Sequence, residues 1–170
     1  MTDPIICLIS AMSENRVIGK DNSIPWKMPV DMKFFRQKTT GNSLIIGRKT
    51  YESFGGKPLP NRRNIVITRD YNYDGNGAEV VHDIHEALEL VKNDREEVFI
   101  GGGEQVYRSA LAFVDRIYLT TIHADIEGDV FFPEFPEHGW IKTREMFVKA
   151  DDKNQFDCTF RSFDRLEFED

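Results

Sequence analysis

Apolar and polar positions fall in short blocks along the chain, and the period changes from one block to the next. Ile5 to Ala11 is an almost unbroken apolar run followed by turn-like residues, the pattern of a strand buried on both faces. Ser13 to Pro29 holds neither period and contains Gly19, Pro25 and Pro29. It reads as one long irregular loop, and a loop of that length in a compact domain points to function. Pro29 opens a helix through about Thr39, stopped by Gly41. Further strands are predicted at Ser43–Gly47, Asn64–Thr68, Glu79–Val81, Val98–Ile100 and Arg116–Ile122. Between them come helices at about Thr50–Phe54, Ile84–Lys92 with Asp83 as its cap, and Gln105–Phe113. Gly55 to Asn61 is a turn cluster, and Val130 to Phe168 is strand-rich and aromatic. Strand and helix alternate over the first two thirds, which predicts a largely parallel sheet covered by helices. The strand-only tail predicts antiparallel strands at one edge. The fold class is α/β, in a single domain over residues 1–170.

Composition narrows the partners. At 170 residues with 40% hydrophobic content, the chain can build one ordinary core. Its net charge is −7, and no basic stretch is dense enough to serve a nucleic acid or a membrane surface. An anionic ligand must then be held by local arginines and helix ends, so isolated basic residues beside Gly or Thr gain weight. Cys7 and Cys158 sit in apolar or β-like runs near opposite ends and read as buried free thiols. No His/Cys cluster has metal-ligand spacing, so no metal is expected. Met1-Thr2-Asp3-Pro4 lacks the basic and apolar regions of a signal peptide, and no run is long enough to span a bilayer. The expectation is a cytoplasmic monomer.

Three constellations carry chemistry. The first is Pro25-Trp26-Lys27-Met28-Pro29-Val30-Asp31-Met32-Lys33-Phe34-Phe35. Asp31 shares a helix face with Phe34 and Phe35, flanked by Met28 and Met32. One reading is a solvated acid in the first helical turn, favoured by the macrodipole. The other is a desolvated carboxylate awaiting a ligand with paired N–H donors, such as a 2-amino-4-oxopteridine ring. The second constellation is Gly101-Gly102-Gly103 between a strand and a helix. It is either a tight turn or a place where backbone and free helix N–H groups meet a phosphate. The dinucleotide fingerprint fails there, because Val106 stands where the third glycine belongs. Glu104 is an awkward neighbour for a pyrophosphate unless its side chain turns away. The third is Gly47-Arg48-Lys49-Thr50, echoed at the end of the next strand by Thr68 and Arg69. These are solvated strand-end residues or, taken together, cations and hydroxyls that suit the 2′-phosphate of NADPH better than the diol of NADH.

Other candidates are weaker. Arg62 is either a surface arginine or a group for a substrate carboxylate. His82, His85, His123 and His138 share no ligand spacing and read as surface or structural. Phe131, Phe132, Pro133 and Phe135 read as core and edge packing.

Taken in order, Arg16-Val17-Ile18-Gly19, Ile24-Pro25-Trp26, Pro29-x-Asp31, Gly47-Arg48-x-Thr50, Pro58-Leu59-Pro60-x-Arg62, Gly101-Gly102-Gly103 and Glu127-Gly128-Asp129 resemble bacterial dihydrofolate reductases from about Ile5 to Phe163. The resemblance implies an eight-stranded, mostly parallel sheet with four main helices. It implies NADPH-dependent reduction of dihydrofolate to tetrahydrofolate for one-carbon metabolism, with antifolates as inhibitors. Asp31 would bond the pterin's 2-amino group and N3 with support from Thr120, and Trp26 would help order active-site water. Ile9, Ala11, Met32, Phe35, Phe54, Leu59 and Ile100 would line the substrate pocket, with Arg62 on the glutamate tail. Gly47, Arg48, Lys49, Thr50, Thr68 and Arg69 would hold cofactor phosphates, joined by Gly101, Gly102, Gly103, Gln105 and Tyr107. Ala11, Ile18 and Gly19 would sit beside the nicotinamide, and Ser13 to Trp26 resembles the family's mobile lid. The chain departs from the commoner pattern at Ser10, Ile24, Lys57 and the added residue at Glu104-Gln105. Two other readings stay open at this point, a reductase of a pyrimidine intermediate of riboflavin synthesis and a non-catalytic nucleotide-binding module.

Overall fold

A computed structural model describes residues 3–166. Met1 and Thr2, and the end of the strand-rich tail at Phe168, lie outside the described residues. In chain order the elements are β1 (Ile5–Ser13), β2 (Val17–Gly19), α1 (Pro29–Thr39), β3 (Ser43–Gly47), α2 (Arg48–Ser53), β4 (Arg63–Ile67), β5 (Glu79–Val81) and α3 (Ile84–Val91). They continue with β6 (Glu97–Ile100), α4 (Glu104–Ala110), β7 (Arg116–Ile122), β8 (Val130–Phe131), β9 (Trp140–Val148) and β10 (Cys158–Arg165).

Strands β3, β4, β6 and β7 are apolar nearly throughout because both of their faces are covered. Successive side chains leave a strand on opposite sides, so each strand feeds two cores. Leu8, Ile45, Ile65 and Ile100 join Val106, Tyr107 and Ala110 of α4 and Ile84, Ala87 and Val91 of α3 on one face. Cys7, Ile9, Leu44, Ile46, Val66 and Phe99 meet Tyr51 of α2 and Phe34 and Phe35 of α1 on the other. The two thiols are buried and unpaired, as their setting predicts.

The main sheet has eight strands in the order β5-β4-β3-β6-β1-β7-β10-β9. It is parallel from β5 to β7, and β10 and β9 add antiparallel at the far edge. The expected architecture is therefore present, with boundary differences of one or two residues at most elements. The helix expected at Gln105–Phe113 is shorter, since its last turn tightens to a 3-10 turn at Leu111–Phe113. β6 inserts between β3 and β1, so chain direction across the sheet reverses there. Ligands of open α/β sheets sit beyond the carboxyl ends of the strands at such a switch point.

The segment from Ser13 to Pro29 departs from the expectation of one irregular loop. Val17–Gly19 forms β2, which pairs antiparallel with β8, and Lys20 bridges to Ser23. Its pairing partner lies more than a hundred residues away in sequence, so no local period announces it. Arg16, Asp21 and Asn22 adopt left-handed backbone in the turns flanking this ribbon. Among the described residues, no helix is long and apolar enough to cross a membrane.

Candidate active site

The carboxyl ends of β1, β3, β4, β5 and β6 open into one cleft of about 1250 Å³. Each strand contributes its last residues and the start of the next element. β1 supplies Ile9, Ser10 and Ala11; β3 leads into Gly47, Arg48, Lys49 and Thr50; β4 leads into Thr68 and Arg69. β6 leads into Gly101, Gly102 and Gly103, and α4 adds Gln105 and Tyr107. α1 lays Asp31, Met32 and Phe35 along one wall, with Phe54 behind α2. Ile18, Gly19 and Trp26 enter from the ribbon segment.

The glycine turns explain how the end of the cleft beside β3 and β6 is built. Gly47 N–H donates to Gly102 O at 2.8 Å, so the turns after β3 and β6 lie against each other. A Cβ on Gly102 would stand 3.3 Å from the Tyr107 hydroxyl, and Gly102 has a φ of +118° that side chains rarely adopt. A Cβ on Gly103 would meet Thr50 Oγ1 at 3.2 Å. Glycine at 102 is favoured by its backbone conformation and by the nearby Tyr107 ring, and a side chain at 103 would crowd Thr50, which is the tight-turn reading. Tyr107 is buried and its hydroxyl donates to Ile9 O at 2.7 Å, fixing α4 to β1. Arg48 pairs with Glu52 one turn on at 3.3 Å. Thr68 accepts from Asp70 N–H at 3.1 Å and keeps its own hydroxyl proton to give.

At the other end, Asp31 stands at the first turn of α1 and lines the cleft. The residue retains some accessible surface toward the cleft, yet the packed protein around its carboxyl removes most of its hydration. Burial raises its pKa to about 6, and the hydroxyl of buried Thr120 pulls the other way by favouring the charged form. Thr120 pairs with Ala11 on β1 and Phe160 on β10, which places it on the α1 side of the sheet. The position of Asp31 in the cleft wall and the direction of its shift match the desolvated-carboxylate reading.

Leu59, Arg62, Ile100 and Thr120 stand apart from the lining. Ile100 is fully buried in the sheet and Thr120 lies beneath Asp31. Arg62 donates to Pro60 O at 3.0 Å and Thr39 Oγ1 at 3.1 Å, and burial together with neighbouring Arg36 lowers its pKa. It has no carboxylate partner within the described residues. Leu59 packs with Phe34, Phe35 and Phe54 against the α1-side core.

The cleft also contains residues that sequence reasoning missed. His82, Asp83, Ile84 and His85 line it beyond β5, where the same strand-end rule that picked out Thr68 would have found them. Among the described residues His82 belongs to no group that could hold a metal ion; its Nδ1 meets Thr68 O at 2.9 Å and its ring stacks on Tyr71 at 4.0 Å. Asn22, Ser23, Ile24, Asp129 and Val130 come from the ribbon and its partner. Ser53, Ile67, Asp70, Val106 and Ser109 line it as well, exposed to the cleft only through tertiary packing. Glu104 lines the cleft as well, but its carboxylate turns aside to accept from Phe131 N–H at 2.7 Å. Of the aromatic group, Phe132 is buried and Phe135 packs beside it, while Phe131 is exposed.

A family model described as Dihydrofolate reductase matches residues 5–165. The dihydrofolate reductase type 3 of Salmonella typhimurium is 42% identical over 161 residues, which cover 95% of this chain and 98% of that protein. The dihydrofolate reductase of Bacillus subtilis is 42% identical, with 95% of each chain covered. A solved dihydrofolate reductase from Enterococcus faecalis, complexed with NADP(H) and RAB-propyl, superposes with a TM-score of 0.92 at 37% identity, covering 96% of this chain and 97% of that one. Fold, cleft and sequence relatives agree: the chain belongs to the dihydrofolate reductase family.

Proposed function

We propose that this one cleft seats both reactants, NADPH over the glycine turns and the pterin ring of dihydrofolate against Asp31, within a single cytoplasmic domain formed by the whole chain. As a member of its family, the chain catalyses NADPH-dependent reduction of 7,8-dihydrofolate to 5,6,7,8-tetrahydrofolate. The observation that carries the residue roles is the desolvated carboxylate of Asp31 facing the same cavity as a cluster of Arg48, Lys49 and Arg69.

The donor set fits the cofactor. Arg48, Lys49 and Arg69 provide cations, Thr50 and Thr68 provide hydroxyls, and the glycine turns allow backbone to approach a phosphate. Such a set favours a 2′-phosphate, whereas a free ribose diol calls for an acid. Gln105 and Tyr107 flank the same end, and Ala11, Ile18 and Gly19 would border the nicotinamide. When bound, NADPH supplies the hydride that adds to pterin C6.

The chain's own residues position and polarise. A carboxylate that loses hydration on burial regains that stabilisation only from donors, and the pterin's 2-amino group and N3–H present a matching pair. Asp31 accepts from both, while Thr120 steadies it from below. Its negative charge raises the proton affinity of the ring, and water admitted past Trp26 delivers the proton to N5. Ile9, Met32, Phe35 and Phe54 form the apolar walls that exclude other water. Leu59, Ile100 and Arg62 act from outside the lining, Arg62 toward the substrate's glutamate tail. Antifolates carrying the same donor pair compete for Asp31.

The test follows NADPH absorbance after dihydrofolate is added to native protein and to Asp31→Asn. Native turnover, with a loss of at least about a hundredfold in the variant, is the expected result. Equal turnover in both would overturn the role of Asp31. A folded native protein that binds NADPH and never oxidises it would overturn the catalytic reading.

A further inference from the structure

Glu104 opens α4 directly after the glycine turn, where an acid would ordinarily serve the helix dipole and no more. Its side chain does something else. It reaches β8 and accepts from Phe131 N–H at 2.7 Å, with Arg108 at 3.6 Å behind it. β8 pairs with β2 in the two-stranded ribbon, and β2 carries Ile18 and Gly19 into the cleft.

Further hydrogen bonds tie the ribbon to the segment around β8. Asp129 N–H donates to Gly19 O at 3.1 Å and Phe132 N–H to Arg16 O at 2.8 Å. The Arg16 guanidinium returns to Phe132 O at 3.2 Å and Pro133 O at 2.5 Å. The fit is so close that a Cβ on Gly128 would lie 2.3 Å from Val17 Cγ1. α4 in turn is fixed to the sheet through Tyr107. The Glu104 carboxylate therefore joins the first turn of α4, on one side of the cleft, to the β2–β8 ribbon that lines another.

We propose that Glu104 is a positioning residue that holds the β2–β8 ribbon over the cofactor end of the cleft, so that it sets how long NADPH stays bound. The proposal rests on the cofactor reading given above. A charge-assisted bond to a backbone N–H is lost outright in Glu104→Ala, while Glu104→Gln keeps an acceptor oxygen and removes only the charge.

Amide hydrogen exchange of cofactor-free protein and stopped-flow release of NADPH together test it. In Glu104→Ala the Phe131 amide exchanges about tenfold faster and NADPH leaves about tenfold faster, with dihydrofolate affinity of the cofactor-free enzyme unchanged. Glu104→Gln keeps native exchange at Phe131 and releases NADPH no faster than native protein. Equal behaviour of the two variants, or native exchange and release in Glu104→Ala, would overturn the proposal. A native protein that fails to bind NADPH would instead overturn the cofactor reading, and the exchange comparison would still report on the bond.

Discussion

Asp31 shows at the residue scale how function and stability oppose each other. Its carboxyl is raised from an ordinary 3.8 to about 6 because burial disfavours the charge. For an acid shifted upward, the folded state binds the proton more tightly than the unfolded chain does. Stability is then greatest where the group is protonated, falls as pH rises from about 3.8 to about 6, and carries the full penalty above that range. Asp31→Asn removes the ionisation, so the free variant is expected to be more stable than native protein at pH 8, by on the order of 3 kcal/mol, and equal to it near pH 3.5. Denaturant unfolding at the two pH values checks this, and a variant less stable at pH 8 would show that the carboxylate is not desolvated. The sequence carried half of this argument. Spacing placed Asp31 beside Phe34 and Phe35, but it could not decide between solvent and cleft, because that depends on β7 and β10 closing beneath α1.

At the scale of elements, α1 reveals a dependence that local reading cannot detect. Pro29 starts the helix and Met28 offers no side-chain cap. The free N–H of Val30 is instead taken by Asn154 Oδ1 at 2.9 Å, from the loop between β9 and β10. Asn154 is itself fixed by Asp151, which accepts from its backbone N–H at 2.7 Å and its side chain at 3.0 Å. Helix caps of this kind contribute about 1 kcal/mol. Asn154→Ala is expected to lower unfolding stability by about that amount and to weaken dihydrofolate binding, since the first turn of α1 carries Asp31. An unchanged denaturation midpoint would show that water replaces the cap. By contrast, Asp83 caps α3 from the adjacent position, accepting from Glu86 N–H at 2.8 Å, and was legible from sequence for that reason.

For the molecule as a whole, the thiols report on cooperativity. Burial pushes Cys158 up to about 11 and Cys7 higher still, where Glu97 adds to the effect. At pH 8 both are thiols inside the sheet, so alkylation of native protein is expected to be slower than that of the unfolded chain by at least about a thousandfold, the factor set by global opening. Fast labelling of Cys158 alone would mean that the β9–β10 edge opens independently. That same edge marks the limit of what sequence determined. Strand-and-helix alternation, the glycine turns, the Asp83 cap and the order of the motifs are local properties, written in period and residue type, and they fix the α/β class and point to Asp31, Arg48 and the glycine triplet. Pairings across long separations are not written that way. Only the folded chain decided that β2 pairs with β8, that Asn154 caps α1 and that Glu104 faces Phe131, because each contact joins residues whose neighbours in sequence give no sign of the partner.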